Sequence, residues 1–366
     1  MRRVLREILI PLLSIVTALL ISVPVVAIAC QGDWSRVAAA YGGLIDGAIL
    51  KPNAFTNTLV SATPLILTGL AITLAFRAGM FNIGGSGQFL VGACAGVYVA
   101  YAIQLPPVIH AIVVLVIGAL AGALWGAIAG ALKAWRGSHE VITTIMLNYV
   151  AFLLTDWLIK GPMKDAVATN VRTPEIFPSA ELGKIFGAFD PNDRLHWGFV
   201  IALGMAVVVW WLLSKTTIGF ELRTTGSNPD AARYAGIRPM RMIVLAMALS
   251  GALAGMGGII QVQGLDHFMP ALFSSDFGFD GITVAFLGQL NPWGVIPAAI
   301  LLGLLRNGSD LMQIRSGGVV SKEVVFIVQA LILLFIAAPP IIRWLYRLRL
   351  GKTALEGAPL TTGWGK

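Results

Sequence analysis

Charge is scarce in this 366-residue chain: Asp, Glu, Lys and Arg together make up 12% of it, about half the share usual in soluble domains. A water-soluble fold needs a largely polar exterior. With 57% apolar residues and a mean hydropathy of +0.81, too little polar side chain is left to cover one. Disorder is excluded on the opposite ground, because it requires low hydrophobicity. Cysteine is nearly absent. Cys30 and Cys94 are the two, both inside apolar runs, so a thiolate metal site is excluded by count and a structural disulfide is not expected. The four histidines, at 110, 139, 196 and 267, form no pair at i, i+3 or i, i+4, so a metal-binding helix motif is missing.

Catalytic signatures are missing too. Gly351-Lys352-Thr353 has Tyr346 where a phosphate-binding loop needs its first glycine. Gly85-Ser86-Gly87 is followed by Gln88 where a nucleophile elbow needs glycine. The chain is therefore not expected to be an enzyme or to hydrolyse ATP itself.

What remains is a set of long apolar runs. Ten segments are long enough to span or half-span a bilayer: 8–30, 57–76, 86–105, 107–132, 141–160, 197–214, 241–263, 279–290, 294–313 and 322–342. The predicted fold class is all-α, a polytopic membrane helix bundle of about ten transmembrane segments in two related halves with broken helices. As a single domain over 1–366 it divides into a first helix (8–30), an N-terminal half (57–160), an external loop (161–196), a cytoplasmic segment (215–241), a C-terminal half (241–342) and a cytoplasmic tail (343–366). The first segment also resembles a lipoprotein signal, with Arg2-Arg3 before an apolar run ending at Cys30. That run is long for a signal and Ala27 fits such a site poorly, so a retained helix is expected. With both termini inside, 16 of the 26 Lys and Arg fall on the inner side and ten outside, half of those between Lys160 and Arg194. The positive-inside rule thus accounts for the net charge of +8 without nucleic acid as a partner.

Gly118, Gly122, Gly126 and Gly130 recur every four residues, which lines up one helix face as a groove for a neighbouring backbone. Residues 76–92 (FRAGMFNIGGSGQFLVG) read in two ways. They form a hairpin between helices, or a broken helix lining a pathway with Asn82 and Gln88 as uncharged hydrogen-bonders; unwound backbone at membrane depth is tolerated only when it is buried or lines a cavity. Residues 279–294 have the same character, with Gln289 and Asn291 beside Gly288, Pro292 and Gly294. Paired broken segments in two halves point to a transport site. Thr144 and Asn148 share one face of the helix after Glu140, either for helix packing or for the pathway. Asp156, Arg306 and Asp310 are the ionisable candidates within spans, and the last two have the spacing of an i, i+4 pair. Residues 215–241 mix five cations with Glu221 and Asp230. Asn228-Pro229 opens a short helix that Gly236 and Pro239 end. This is a docking element or a solvated topology anchor.

Together these motifs carry a resemblance. FRAGMFNIGGSGQFLVG (76–92), EVITTIMLNY (140–149), GFELRTTGSNPDAARYAGI (219–237), LSGALAGMGG (249–258) and FDGITVAFLGQLNPWGVIP (279–297) are similar to the permease subunits of bacterial ABC importers for branched-chain amino acids, ribose, other simple sugars and nucleosides. The simple-sugar/nucleoside group is the nearest. The family pattern has Glu where this chain has Ser86. The resemblance implies a membrane-spanning subunit in the bacterial inner membrane that moves a small neutral polar solute, nucleoside first and simple sugar second, by alternating access. It implies ATP and Mg on two separate ATPase subunits rather than any cofactor here, a second permease chain, related but not identical, and an external solute-binding protein. It makes 223–239 a coupling helix whose contact residues are Arg223, Gly226, Asn228, Ala231, Ala232, Gly236 and Ile237. The neutral residues Asn82, Gln88, Asn148, Gln289 and Asn291 then line the pathway. The rival reading is a stand-alone secondary transporter or channel, which needs membrane carboxylates for ion coupling.

Overall fold

The computed structural model describes residues 2–273 and 276–347, and every apolar run in it is helical. The helices are α1 (Arg2–Ala29), α2 (Trp34–Ile45), α3 (Ala54–Arg77), α4 (Gly85–Ala102), α5 (Ile109–Arg136), α6 (Glu140–Lys160), α7 (Gly198–Lys215), α8 (Thr217–Ser227), α9 (Pro229–Tyr234), α10 (Pro239–Gln261), α11 (Asp276–Leu287), α12 (Pro292–Arg315), α13 (Val324–Ala337) and α14 (Pro339–Leu345). Seven of these stretches are long and apolar enough to cross a membrane; α13 is apolar but shorter. No strand occurs among the described residues.

α3 is apolar on all sides and is accordingly buried all round. It packs against α10, α11, α12 and α7. Two of its threonines bond its own backbone: Thr63 Oγ1 donates to Leu59 O at 2.8 Å and Thr68 Oγ1 to Pro64 O at 3.0 Å. α6 shows how the surrounding apolar medium sorts side chains. Glu140, Thr144, Asn148, Ala151 and Thr155 lie on its buried face, while Leu153 and Trp157 point outward. A polar face in an apolar helix turns to the bundle interior.

The four-residue glycine repeat on α5 meets α10. A Cβ on Gly122 would fall on the carbonyl oxygen of Gly251, and one on Gly126 on that of Met247; one on Gly130 would come within 2.9 Å of the Val244 Cα. Gly92 of α4 abuts Gly255 of α10 in the same way. Three helices thus share one seam of small residues, and close backbone approach replaces side-chain interdigitation there.

Two features depart from the sequence expectation. α2 lies in the stretch read as an outer connection; Gly43 in it and Gly47 just past its end sit against Leu311 and Gly308 of α12, and Arg315 pairs with Asp46. The last apolar run divides, since α14 restarts at Pro339-Pro340, where proline is tolerated in a first helical turn. The tail from residue 348, including Gly351-Lys352-Thr353, lies outside the described residues. α1 packs on α13, with Thr17 bonded to Tyr346 at 2.9 Å, and Cys30 is buried beside Met312.

Candidate pathway and coupling elements

The long connection 161–197 lies at one end of the bundle and α8–α9 at the other, because α10 runs from one to the other. At the α8–α9 end, α3 stops at Arg77 and the chain turns at Gly79, whose φ is +76°. Residues 80–84 then fold back among the helices before α4 starts at Gly85. This is unwound backbone at the depth of Ser250, the twelfth residue along α10. Asn82 holds it. Its Nδ2 donates to Gln88 Oε1 at 2.9 Å and to Ser250 Oγ at 2.8 Å, and its Oδ1 accepts from the Gly84 N–H at 2.8 Å. Ser250 in turn donates to Ala71 O at 2.7 Å. Asn148 works from the other side. It accepts from the Gly87 N–H at 2.8 Å and donates to Ile83 O at 2.9 Å. Asn82, Gln88 and Asn148 therefore converge, as a buried and mutually satisfied network that supplies partners to backbone groups left without a helix. Ser86 is buried at the start of α4, against Gly278 near the start of α11.

Gln289 and Asn291 lie elsewhere, at the turn between α11 and α12. Gln289 and Leu290 both have positive φ, near 55°. Asn291 is exposed and caps α12 by accepting from the Trp293 N–H at 3.1 Å. Gly288 and Gly294 touch backbone to backbone across that turn. Arg77 reaches it from α3, its Nε donating to Leu290 O at 2.9 Å. Phe76, Phe81 and Phe286 pack edge-on around the same joint, with Phe76–Phe286 centroids 5.4 Å apart.

The sequence reading missed a charge. Asp280 lies inside the run 279–290, and Arg306 pairs with it at 2.6 Å rather than with Asp310, which is exposed. Arg306 also stacks over Phe277 at 4.3 Å. Asp156 pairs with Lys160 at 2.6 Å. A cation and an anion on α12 and α11 neutralise each other in the interior, as buried charges must.

The 215–241 segment forms two helices. Thr216 caps α8 by accepting from the Gly219 N–H at 3.0 Å, and Gly219 lets α8 turn tightly under the end of α7. Asn228 Oδ1 caps α9, accepting from Asp230 and Ala231 N–H at 3.0 Å each. Gly236, at φ +81°, ends it. Of the expected contact residues, Arg223, Ala231 and Gly236 are exposed, Ile237 is half-buried and Ala232 is fully buried. Gly226 faces inward. A Cβ there would lie 2.6 Å from Arg77 O and 2.7 Å from Gly79 N. Tyr234, absent from the expected set, is the most exposed large hydrophobic side chain of the segment, at 94%.

Residues 54–337 match the family described as the branched-chain amino acid transport system / permease component. The chain belongs to this family. It is thus a permease component of an ABC transporter, a transport subunit rather than an enzyme. Among relatives, the guanosine ABC transporter permease protein NupP of Bacillus subtilis is 40% identical over 358 residues, 97% of this chain and 99% of that one. The nucleoside ABC transporter permease protein NupB of Lactococcus lactis is 34% identical over 92% of both chains. The glucose ABC transporter permease protein TsgB13 of Haloferax volcanii is 32% identical over 81% of this chain and 79% of its own. No solved structure matches.

Proposed function

We propose that this permease carries a nucleoside across the bacterial inner membrane, inward, with both termini and α8–α9 in the cytoplasm. The names of the two bacterial relatives support the nucleoside, and the Lys and Arg distribution supports the orientation. Simple sugar is the second reading, favoured by the glucose permease among the relatives. Two ATPase subunits dock on α8–α9, a solute-binding protein delivers at the 161–197 end, and a related, non-identical permease chain completes the pathway.

One observation carries the mechanism. The turn Arg77–Gly79 touches three things at once: Gly226 on α8, the Leu290 carbonyl between α11 and α12, and, through residues 80–84, the Asn82 network. A displacement of α8–α9 by closing ATPases would therefore reach both broken segments through one joint. ATP shifts access only by binding the closed arrangement more tightly. In this reading Asn82, Gln88 and Asn148 fix the shape of the re-entrant segment, Gln289 and Asn291 shape the second, and Arg223, Ala231, Gly236 and Ile237 present the coupling face.

The test is uptake by the full transporter in proteoliposomes. Radiolabelled guanosine should accumulate only with ATP inside and binding protein outside. ATP-independent uptake by this chain alone would instead establish the secondary transporter.

A further inference from the structure

Two cavities adjoin at the 161–197 end. The outer one, about 470 Å³, lies over the loop from Asp165 to Arg172 and is also lined by Phe268 and Pro270. The inner one, about 320 Å³, is lined among the described residues by Gln261, Asp266, Phe268, Pro270, Phe273 and Phe277. Phe268 and Pro270 belong to both, so they form the partition between them.

The inner cavity combines two chemistries. Three of its six walls are phenylalanine rings, and two of these rest on Phe89 of α4, with centroids 6.2 Å (Phe273) and 5.7 Å (Phe277) away and near-parallel planes. In the same lining, Gln261 Nε2 donates to Asp266 Oδ2 at 3.1 Å. An ionised carboxylate has about four acceptor positions, of which Gln261 takes one. Two of the rings carry a guanidinium on one face: Arg172 lies 4.5 Å over Phe268, and Arg306 lies 4.3 Å over Phe277. Both rings are thereby held in orientation. Ligand cavities run from about 300 to 1,000 Å³, mostly apolar with a few placed polar groups. This one sits at the small end, with room for one compact solute.

Resting on the nucleoside reading above, we propose that the inner cavity is the first nucleoside site inside the permease, with the heterocycle among Phe268, Phe273 and Phe277 and the sugar hydroxyls donating to Asp266 and the Gln261 amide oxygen. Every base has a π-face, so ring stacking binds nucleosides with little preference among bases. A neutral solute asks for acceptors rather than a counter-charge, which Asp266 supplies to hydroxyl donors. Phe268, as the shared partition, stands between the outer cavity and this site.

The experiment uses the assembled permease–ATPase complex in proteoliposomes without binding protein, photolabelled with 8-azidoguanosine. The label should fall within residues 261–277, and guanosine should protect against it. Phe268→Ala and Asp266→Asn should each raise the concentration of guanosine needed for half-protection at least tenfold, the scale of one lost stacking contact and of one lost hydrogen bond to a charged group, while Phe268→Tyr stays within about twofold. Ribose should protect at least tenfold more weakly than guanosine. If the complex, supplied with binding protein in a parallel uptake assay, transports guanosine but the label falls outside 261–277, or if both variants protect like the wild type, the cavity assignment is overturned and the nucleoside reading stands. If the complex transports a sugar and no nucleoside, both are overturned. Should a variant fail to retain the ATPase, the position of the label on the wild-type chain decides.

Discussion

The Cα of Gly226 on α8 lies 2.8 Å from where a Cβ on Gly79 would stand. Neither position has room for a side chain, and the atoms in the way are backbone, which cannot yield by rotation. Gly79 also needs its φ of +76°, a conformation that favours glycine. Gly226→Ala should therefore push α8 off the end of α3. Guanosine uptake should fall at least tenfold while ATP hydrolysis persists without its dependence on binding protein. Wild-type coupling in this variant would separate α8 from the joint.

Tyr234 tests docking with less strain. Gly236 sits at φ +81° with open space around it, so replacing it distorts the stop of α9 whatever it touches. Tyr234 is 94% exposed and can be removed without disturbing the fold. Tyr234→Ala should leave the amount of permease in the membrane unchanged and weaken co-purification of the ATPase several-fold.

Asn82 is expected to act through stability. Asn82→Leu removes the partner of the Gly84 N–H and two bonds to Gln88 and Ser250. A buried polar group left unsatisfied costs about 1–3 kcal/mol. The solubilised variant should unfold at a lower temperature, and whatever folds should transport slowly. An unchanged melting temperature with lost uptake would mark Asn82 as a solute contact instead.

The Asp280–Arg306 pair should be costly to break and cheap to replace. Asp280→Ala leaves a guanidinium uncompensated in the interior, a loss on the order of 3–5 kcal/mol, and should abolish accumulation of the protein. Asp280→Leu combined with Arg306→Met should restore accumulation in part, as measured by immunoblot of membranes. Failure of the double variant to recover would mean that the charges themselves are needed.

The loop 161–197 should loosen in acid. His196 is buried between Gly198 and Gly264, and its Nδ1 accepts from the Gly198 N–H at 3.1 Å. Burial, and secondarily the nearby His267, hold it down to about 4. The neutral ring belongs to the folded form. Its contribution is complete above the ordinary value of about 6.5 and is lost as pH falls from there towards 4, on the order of 3 kcal/mol in all. His267 lies nearby, 3.9 Å from Glu181. Proteolysis of the loop should rise across that window in the wild type and less steeply in His196→Asn.

Composition and periodicity determined much of this protein. Scarce charge and ten apolar runs left a helical membrane bundle as the available fold. The four-residue glycine spacing on α5 foretold a backbone-to-backbone seam, because helical geometry alone puts those residues on one face. Asn228 and Gly236 marked the ends of α9, since capping is local. The partners of polar groups were decided by tertiary structure. Asn82, Gln88 and Asn148 read as loose pathway residues, yet they spend their hydrogen bonds on a re-entrant loop, because buried amides must find partners and the nearest ones are unpaired backbone. Arg306 chose Asp280 on another helix over Asp310 one turn away, because packing brought α11 alongside and left Asp310 outside. Gly226 looked like a docking contact and proved to be the seat of α8 on α3. Spacing along a chain fixes which residues share a face; only the packed bundle fixes what that face meets.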